Sequence, residues 1–354
     1  MAKIEKRVNG IQHIGVGTAD LENTWKWYRK FFGTDIPMFD SVAEAPLMNV
    51  YTKGKPINKR AAMILNLQGG CAMELVNPKS FTSRKPDVEA QLGDIGIFIT
   101  QIKVKNVKAS FAFYQENKAE ILGELTKTPD GRDTFYVKEP NGLIFQLVPG
   151  GQWFTDLGHH SGGVSGCSVG VRDIDKAVKF WALLGYDKVV FDDTAVFGDW
   201  HELPGGKERL RRVLLKQTQQ NGGGFAEVMG ETTIELFQSL DREPKTIYKG
   251  RMWGDTGFVH IGMDVKNMYE LEKMLTENGH PFTCDSSNGL HMGKTRVHCT
   301  YIEDPDGTLI ELIEVYKIPL LEKWGLFLDV HKRDPLKPLP RFMLKMMRFS
   351  RVKH

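Results

Sequence analysis

A repeat constrains this chain more than any other feature. Residues 136–147 read YVKEPNGLIFQL and residues 301–312 read YIEDPDGTLIEL, so one Tyr-x-x-acidic-Pro-x-Gly hairpin string recurs at an offset of 165 residues. Upstream of each lies a second recurring block: GIQHIGVGTADLENTWKWY at 10–28, GIFITQIKVKNVKASFAFY at 96–114, GVSGCSVGVRDIDKAVKFW at 163–181 and GFVHIGMDVKNMYELEKML from 257. Each reads as a short apolar strand, then Asp20, Asn106, Asp173 or Asn267, then an amphipathic helix such as the one carrying Leu21, Trp25 and Tyr28 on one face. An Asp or Asn at that point supplies the acceptor that a helix N-terminus requires. Apolar runs close the units at 71–76 (CAMELV), 143–148 (LIFQLV), 233–238 (TIELFQ) and 309–314 (LIELIE). The expectation is an α+β chain of four βαβββ modules between residue 8 and about residue 316.

Bulk properties leave room for such a fold and exclude little else. A length of 354 residues suffices for two domains, and they are expected at 8–150 and 160–318, each a pair of modules, with a basic tail at 319–354. The strongest linker pattern is VPGGQWFTDLGHHSGG at 148–163. A formal net charge of +3 gives no reason to expect nucleic acid. Four scattered cysteines, with no Cys-x-x-Cys pair, argue against a disulfide framework and for a reducing cytoplasm. No apolar run reaches the length of a membrane span. The expected partner is a small-molecule substrate, with the chain monomeric or a homodimer.

HIGV…D at 13–20, HIGMDVKN at 260–267 and DPDGTLIEL at 304–312 resemble the vicinal oxygen chelate superfamily, which includes glyoxalase I, epimerases, extradiol dioxygenases and metal-free bleomycin-resistance proteins. The resemblance covers the chain except its tail. It implies modules pairing into two cup-shaped open β-barrels, with a divalent metal held by a first-strand and a last-strand residue of each module. The first-strand position falls at His13, Ile99, Gly166 and His260, and the last-strand position at Glu74, Gln146, Glu235 and Glu311. Only modules one and four carry both His and Glu. If those two pair, His13, Glu74, His260 and Glu311 share one cup; if neighbours pair, they are divided. The first arrangement is expected because it gathers both complete pairs.

Two imidazoles and two carboxylates suit one divalent ion, with Zn, Ni, Co, Mn and Fe(II) all admissible. The implied chemistry is that of a metal-dependent glyoxalase-like lyase or isomerase, removing a proton beside an oxygen of the substrate, with Glu74 or Glu311 as base. An Fe(II) extradiol or 2-oxo-acid dioxygenase is the alternative, and a metal-free binding protein the third reading. Tyr301, His298 and Glu235 are candidates for contact with the ligands or the substrate. Three further expectations concern the remainder: solvated basic residues in KERLRRVLLK at 207–216, an extended hairpin tip at QTQQNGGGF, and a tail helix packed on the body.

Overall fold

A computed structural model describes residues 5–86, 89–287, 289–292, 295–321, 326–331 and 333–352. Module one comprises β1 (Arg7–Gly17), α1 (Leu21–Phe32), β2 (Ile36–Glu44), β3 (Asn58–Leu65) and β4 (Ala72–Pro78). Module two comprises β5 (Gly96–Val104), α2 (Val107–Glu116), β6 (Glu120–Lys127), β7 (Asp133–Lys138) and β8 (Ile144–Pro149). Module three comprises β9 (Ser161–Gly170), α3 (Ile174–Leu183), β10 (Lys188–Ala195), β11 (Leu210–Lys216), the single turn α4 (Ala226–Met229) and β12 (Thr233–Ser239). Module four comprises β13 (Gly257–Lys266), α5 (Met268–Glu277), β14 (Cys284–Asp285), β15 (Leu290–Met292), β16 (Thr295–Glu303) and β17 (Leu309–Leu321). β18 (Leu326–Asp329) and α6 (Arg341–Met346) follow. None of the described helices is long and apolar enough to cross a membrane.

The sheets join the modules as nested pairs. One runs β14-β16-β17-β13-β1-β4-β3-β2 and so unites modules one and four; the other runs β10-β11-β12-β9-β5-β8-β7-β6 and unites modules two and three. Each is a curled half-barrel. The sequential pairs expected at 8–150 and 160–318 are therefore not the hydrogen-bonded units, because each sheet takes strands from both stretches. At the middle of each sheet two first strands meet antiparallel, β1 with β13 and β5 with β9. First-strand pairing satisfies the edge that each module would otherwise leave open.

Strand alternation sorts the side chains into two populations. One set, including Ile14, Met73, Ile261, Ile310 and Leu312, joins the helices and the other sheet in the main core. Phe145 of β8 packs on Tyr28 and Phe32 of α1 and on Phe258 of β13, with ring centroids 5.6, 4.7 and 5.6 Å apart. The other set points into the cups. Three helices start as expected: the carboxylates of Asp20 and Asp173 and the side-chain oxygen of Asn106 accept backbone N–H groups of the first turn. At α5 the device differs. The buried Glu314 carboxylate takes the N–H groups of Asn267 and Met268, at 3.1 and 3.0 Å.

The inserted segment after β11 is not a free hairpin tip. It folds over the cup of modules one and four and meets the tail there: Gly223 N–H donates to Pro335 O (2.6 Å) and Leu339 N–H to Gly224 O (2.9 Å). The tail packs on the body, with Leu344 buried and the Arg351 guanidinium 2.6 Å from the Asp35 carboxylate. The linker also packs, burying Phe154 and donating its N–H to Gln68 O.

The hairpin string is a turn built on its acidic residue. Asp304 Oδ1 accepts the N–H groups of Asp306 (2.9 Å) and Thr308 (2.8 Å), while Oδ2 is buried without a hydrogen-bond partner. Burial pushes its carboxyl up to about 7, only partly opposed by those two N–H groups. An unfolded aspartate titrates near 3.9, so the folded chain keeps a proton that the unfolded chain loses, and the stability this gives is complete below about pH 4 and gone above about pH 7. Asp304→Asn retains the Oδ1 acceptor and cannot ionise. Relative to the parent protein, this variant gains about 2 kcal/mol in urea denaturation at pH 8 over its value at pH 5.

Candidate metal centre

The antiparallel register of β1 and β13 sets His13 opposite Gly262 and Gly15 opposite His260. Each imidazole lies over the glycine of the other strand. A Cβ on Gly15 would sit 2.3 Å from His260 Cε1, and one on Gly262 would sit 2.2 Å from His13 Cε1. The parallel pairings place Glu74 beside Gly15 and Glu311 beside Gly262. Every histidine thus reaches across to the glutamate of the other module. The His-Ile-Gly string visible in both repeats is the local code for this crossing.

The four side chains form one buried cluster, in which one ligand atom from each lies within 4.8 Å of the others. His13 Nε2 is 2.9 Å from His260 Nε2 and 3.1 Å from Glu311 Oε2. His260 Nε2 is 3.4 Å from both Glu74 Oε2 and Glu311 Oε2, and His13 Nε2 is 3.9 Å from Glu74 Oε2. Donors on one ion at bond lengths of about 2.0–2.2 Å are separated by such distances. His13 Nδ1 lies 3.2 Å from Gln12 Oε1, a contact that places the ring proton on Nδ1 and leaves the Nε2 lone pair facing the cluster. Glu311 Oε2, buried in its midst, has no hydrogen bond of good geometry. The residues present fit a divalent cation.

Electrostatics point the same way. Burial raises the Glu74 carboxyl, but the Lys59 ammonium 3.5 Å away and the His260 imidazole outweigh it and bring it down to about 2. Glu311 is held well below the usual carboxylate range, as His13 and His260 overcome its burial. Burial lowers His260, yet Glu311 and Glu74 drive it up to about 9. Two anions in a closed space retain a proton on the histidine between them.

Beside the cluster lies a cavity with about 610 Å³ of empty space, its open mouth included, walled in part by Glu74, Glu311, Lys59, Trp253, Cys299 and Tyr301. The Cys299 thiol donates to Glu311 Oε1 at 2.9 Å. Trp253 lies parallel to the His260 ring at 6.4 Å and has the Lys59 ammonium over its face at 5.0 Å. Tyr301 meets His260 edge-on at 5.6 Å. Burial, followed by the Glu311 charge, pushes its hydroxyl well above the usual value, so it remains a neutral phenol.

Of the other candidates, His298 is on the opposite face of β16 from Cys299 and Tyr301, and its Nε2 lies 2.5 Å from Asp285. It does not reach the cavity, whereas His291 lines it. Glu235 belongs to the other cup altogether. Lys59, Trp253 and Cys299 went unnoticed in the sequence, since each is placed by tertiary packing and none belongs to a repeated string.

The second cup has filled the same positions differently. Glu235 Oε1 accepts from Arg212 Nε (2.7 Å) and Oε2 from the Ser168 hydroxyl (2.6 Å). Arg212 Nη1 reaches both oxygens of Asp199 at 2.9 Å, and Tyr136, which accepts from Gln146, donates to the same carboxylate. The guanidinium is fully buried, with its carbon 3.6 Å from the Trp200 ring centroid. In 207–216 Lys207 and Arg209 are exposed and Lys216 half-buried, as expected of solvated basic residues, and so is Arg211, which pairs with Asp192 and Asp175. Its neighbour points inward and is a structural cation. Ser168 replaces the glycine on which an imidazole would lie, and Ile99 and Gly166 offer no ligand.

The sequence matches the family model of the Glyoxalase/Bleomycin resistance protein/Dioxygenase superfamily over residues 10–147 and 163–312. The chain belongs to this superfamily. Among solved structures it is similar to glyoxalase I from Zea mays, at 15% identity and a TM-score of 0.52, covering 88% of this chain and 92% of that one. It is also similar to a putative dioxygenase from Bacillus subtilis, at 13% identity and a TM-score of 0.57, covering 88% and 86%. At such identities the likeness is one of fold. No curated protein sequence matches the chain.

Two variants separate the cups. Gly262→Val displaces the His13 ring and abolishes metal uptake, measured by elemental analysis after reloading. Arg212→Ala strands two buried carboxylates, costs about 3–5 kcal/mol in urea denaturation, and leaves metal content unchanged in the fraction that remains folded.

Proposed function

We propose that the chain is a metal-dependent lyase or isomerase that removes a proton from a carbon next to an oxygen function of a small organic substrate. The observation that carries this reading is the convergence of two complete His/Glu pairs, from modules one and four, in one buried cluster whose two glutamates line a cavity. His13, Glu74, His260 and Glu311 would hold one divalent ion, and Zn, Ni, Co, Mn and Fe(II) all suit these donors. When bound, the ion supplies positive charge to the substrate oxygen on which negative charge develops.

The protein's own groups divide the remaining work. Glu311 is the base: its neighbours Cys299 and Tyr301 are neutral, and its Oε2 is not spent on a hydrogen bond. Glu74 is less suited, because the Lys59 ammonium 3.5 Å away anchors its carboxylate. The Tyr301 phenol is available to donate to a substrate oxygen. Trp253, Leu47 and Met48 line the cavity and limit water around the proton in transit. Four protein donors weigh against the dioxygenase reading, whose facial triad needs only two His and one carboxylate and leaves more positions open. They weigh equally against a metal-free binding protein, for which buried facing anions bring a cost without a use.

Metal content tests the ligand set. Purified protein carries roughly one divalent ion per chain, and His13→Ala and His260→Ala each lose it; a loss in only one of them removes the shared site. Because His260 holds its proton up to about 9 in the metal-free protein, binding releases it. Affinity measured by calorimetry therefore rises about tenfold per pH unit between neutrality and pH 9 and flattens beyond. The chemistry is tested with α-hydroxyacetophenone in D2O. The loaded protein exchanges the protons next to the carbonyl without consuming oxygen, and Glu311→Gln slows the exchange by about a hundredfold or more. Oxygen uptake in place of exchange would decide for the dioxygenase.

A further inference from the structure

The cup continues beyond the four ligands. Side chains two residues apart on a strand face the same side, and stepping by two from the cluster leads from the first cavity into a second. On β17 the steps are Glu311, Ile313 and Val315; on β16, Cys299 and Val297; on β4, Glu74 and Ala72; on β3, Ala61 and Met63. The first residue of each series lines the ligand cavity and the later ones the second. Phe39 borders both. The second space has an empty volume of about 1140 Å³, its open mouth included.

Its inner wall is aliphatic, sulfur-bearing or aromatic, while the charged groups that line it stand on β13 (Asp264, Lys266) and in the tail (Arg333, Asp334, Lys337). Asn9 Nδ2 donates to Asp264 Oδ2 at 2.8 Å, and Lys266 Nζ donates to the carbonyls of Val330 (2.9 Å) and His331 (3.3 Å). These bonds engage the two charged groups from β13, and in the tail Lys337 Nζ lies 3.8 Å from Asp334. Its roof consists of the 223–229 segment of module three and the tail, the two pieces joined by the bonds of Gly223 and Gly224. The roof therefore comes from outside the two modules that supply the ligands.

We infer that this chamber takes the apolar body of the substrate while the oxygen-bearing end lies at the four ligands. The substrate class is then a compound with an aryl or aliphatic body and its oxygen functions at one end. A two- or three-carbon compound would leave the chamber empty. This inference rests on the metal-dependent reading above and adds to it the nature of the substrate.

Hydroxamic acids test it, since each presents the same two oxygens and only the hydrocarbon varies. Binding of acetohydroxamic, hexanohydroxamic and octanohydroxamic acids to metal-loaded protein is measured by calorimetry. Affinity rises about fourfold per added methylene, and octanohydroxamic acid binds at least about a hundredfold more tightly than acetohydroxamic acid. Val315→Trp and Ile318→Trp fill the chamber and reduce that ratio below about tenfold, with thermal melting as the check that each variant folds. The series on the parent protein is decisive even if neither variant folds. Equal affinity along it overturns the inference and leaves the metal site standing. Failure to load metal, or to bind acetohydroxamic acid when loaded, overturns both.

Discussion

The structure turns on one contact made twice, an imidazole lying on a glycine across two antiparallel strands. The central strands β1 and β13 run through the middle of their sheet, where backbone hydrogen bonding holds them at a fixed separation. A histidine pointing into the cup needs the opposite position to be bare, and Gly15 and Gly262 provide that. The crossing hands each histidine to the other module's glutamate, so neither module holds a complete set of contacts alone. Register, a backbone property, thereby determines side-chain chemistry.

The second sheet shows what becomes of the same scaffold when that contact is absent. A buried glutamate at the last-strand position still requires a positive partner. Glu235 obtains it from Arg212, which Asp199 and the Trp200 ring also hold. One cup collects donors around an open cavity, and the other closes around a guanidinium. The two are alternative answers to one desolvation problem.

Much of this was legible in the sequence because it is local and repeated. The module boundaries, the capping residues Asp20, Asn106 and Asp173, and the matching positions of the two His/Glu pairs all follow from offsets between similar strings. The partnership of modules one and four was reached only by economy, since no local pattern encodes which first strands meet. Arg211 and Arg212 show the limit at finer scale: adjacent strand residues of one type face opposite sides, and composition does not say which is buried. Nor does any local pattern show that Glu314 caps α5, where Asn267 sits in a left-handed conformation with φ near 57° and a distant carboxylate takes the helix N–H groups instead. The loop and tail that roof the chamber are long-range relations of the same kind.

The nesting of the modules also orders events in time. Modules two and three are neighbours in the chain, so their sheet closes over short separations, whereas His13 and His260 stand 247 residues apart. Loop-closure entropy and directional synthesis both favour the inner sheet forming while the last module is still being made. Throughout that interval β1 has no partner of its own kind, and its central edge remains open. The last strands to emerge cover that edge and complete the ligand set in the same step. A ribosome-bound chain thus carries only half of the His/Glu cluster until module four has been made.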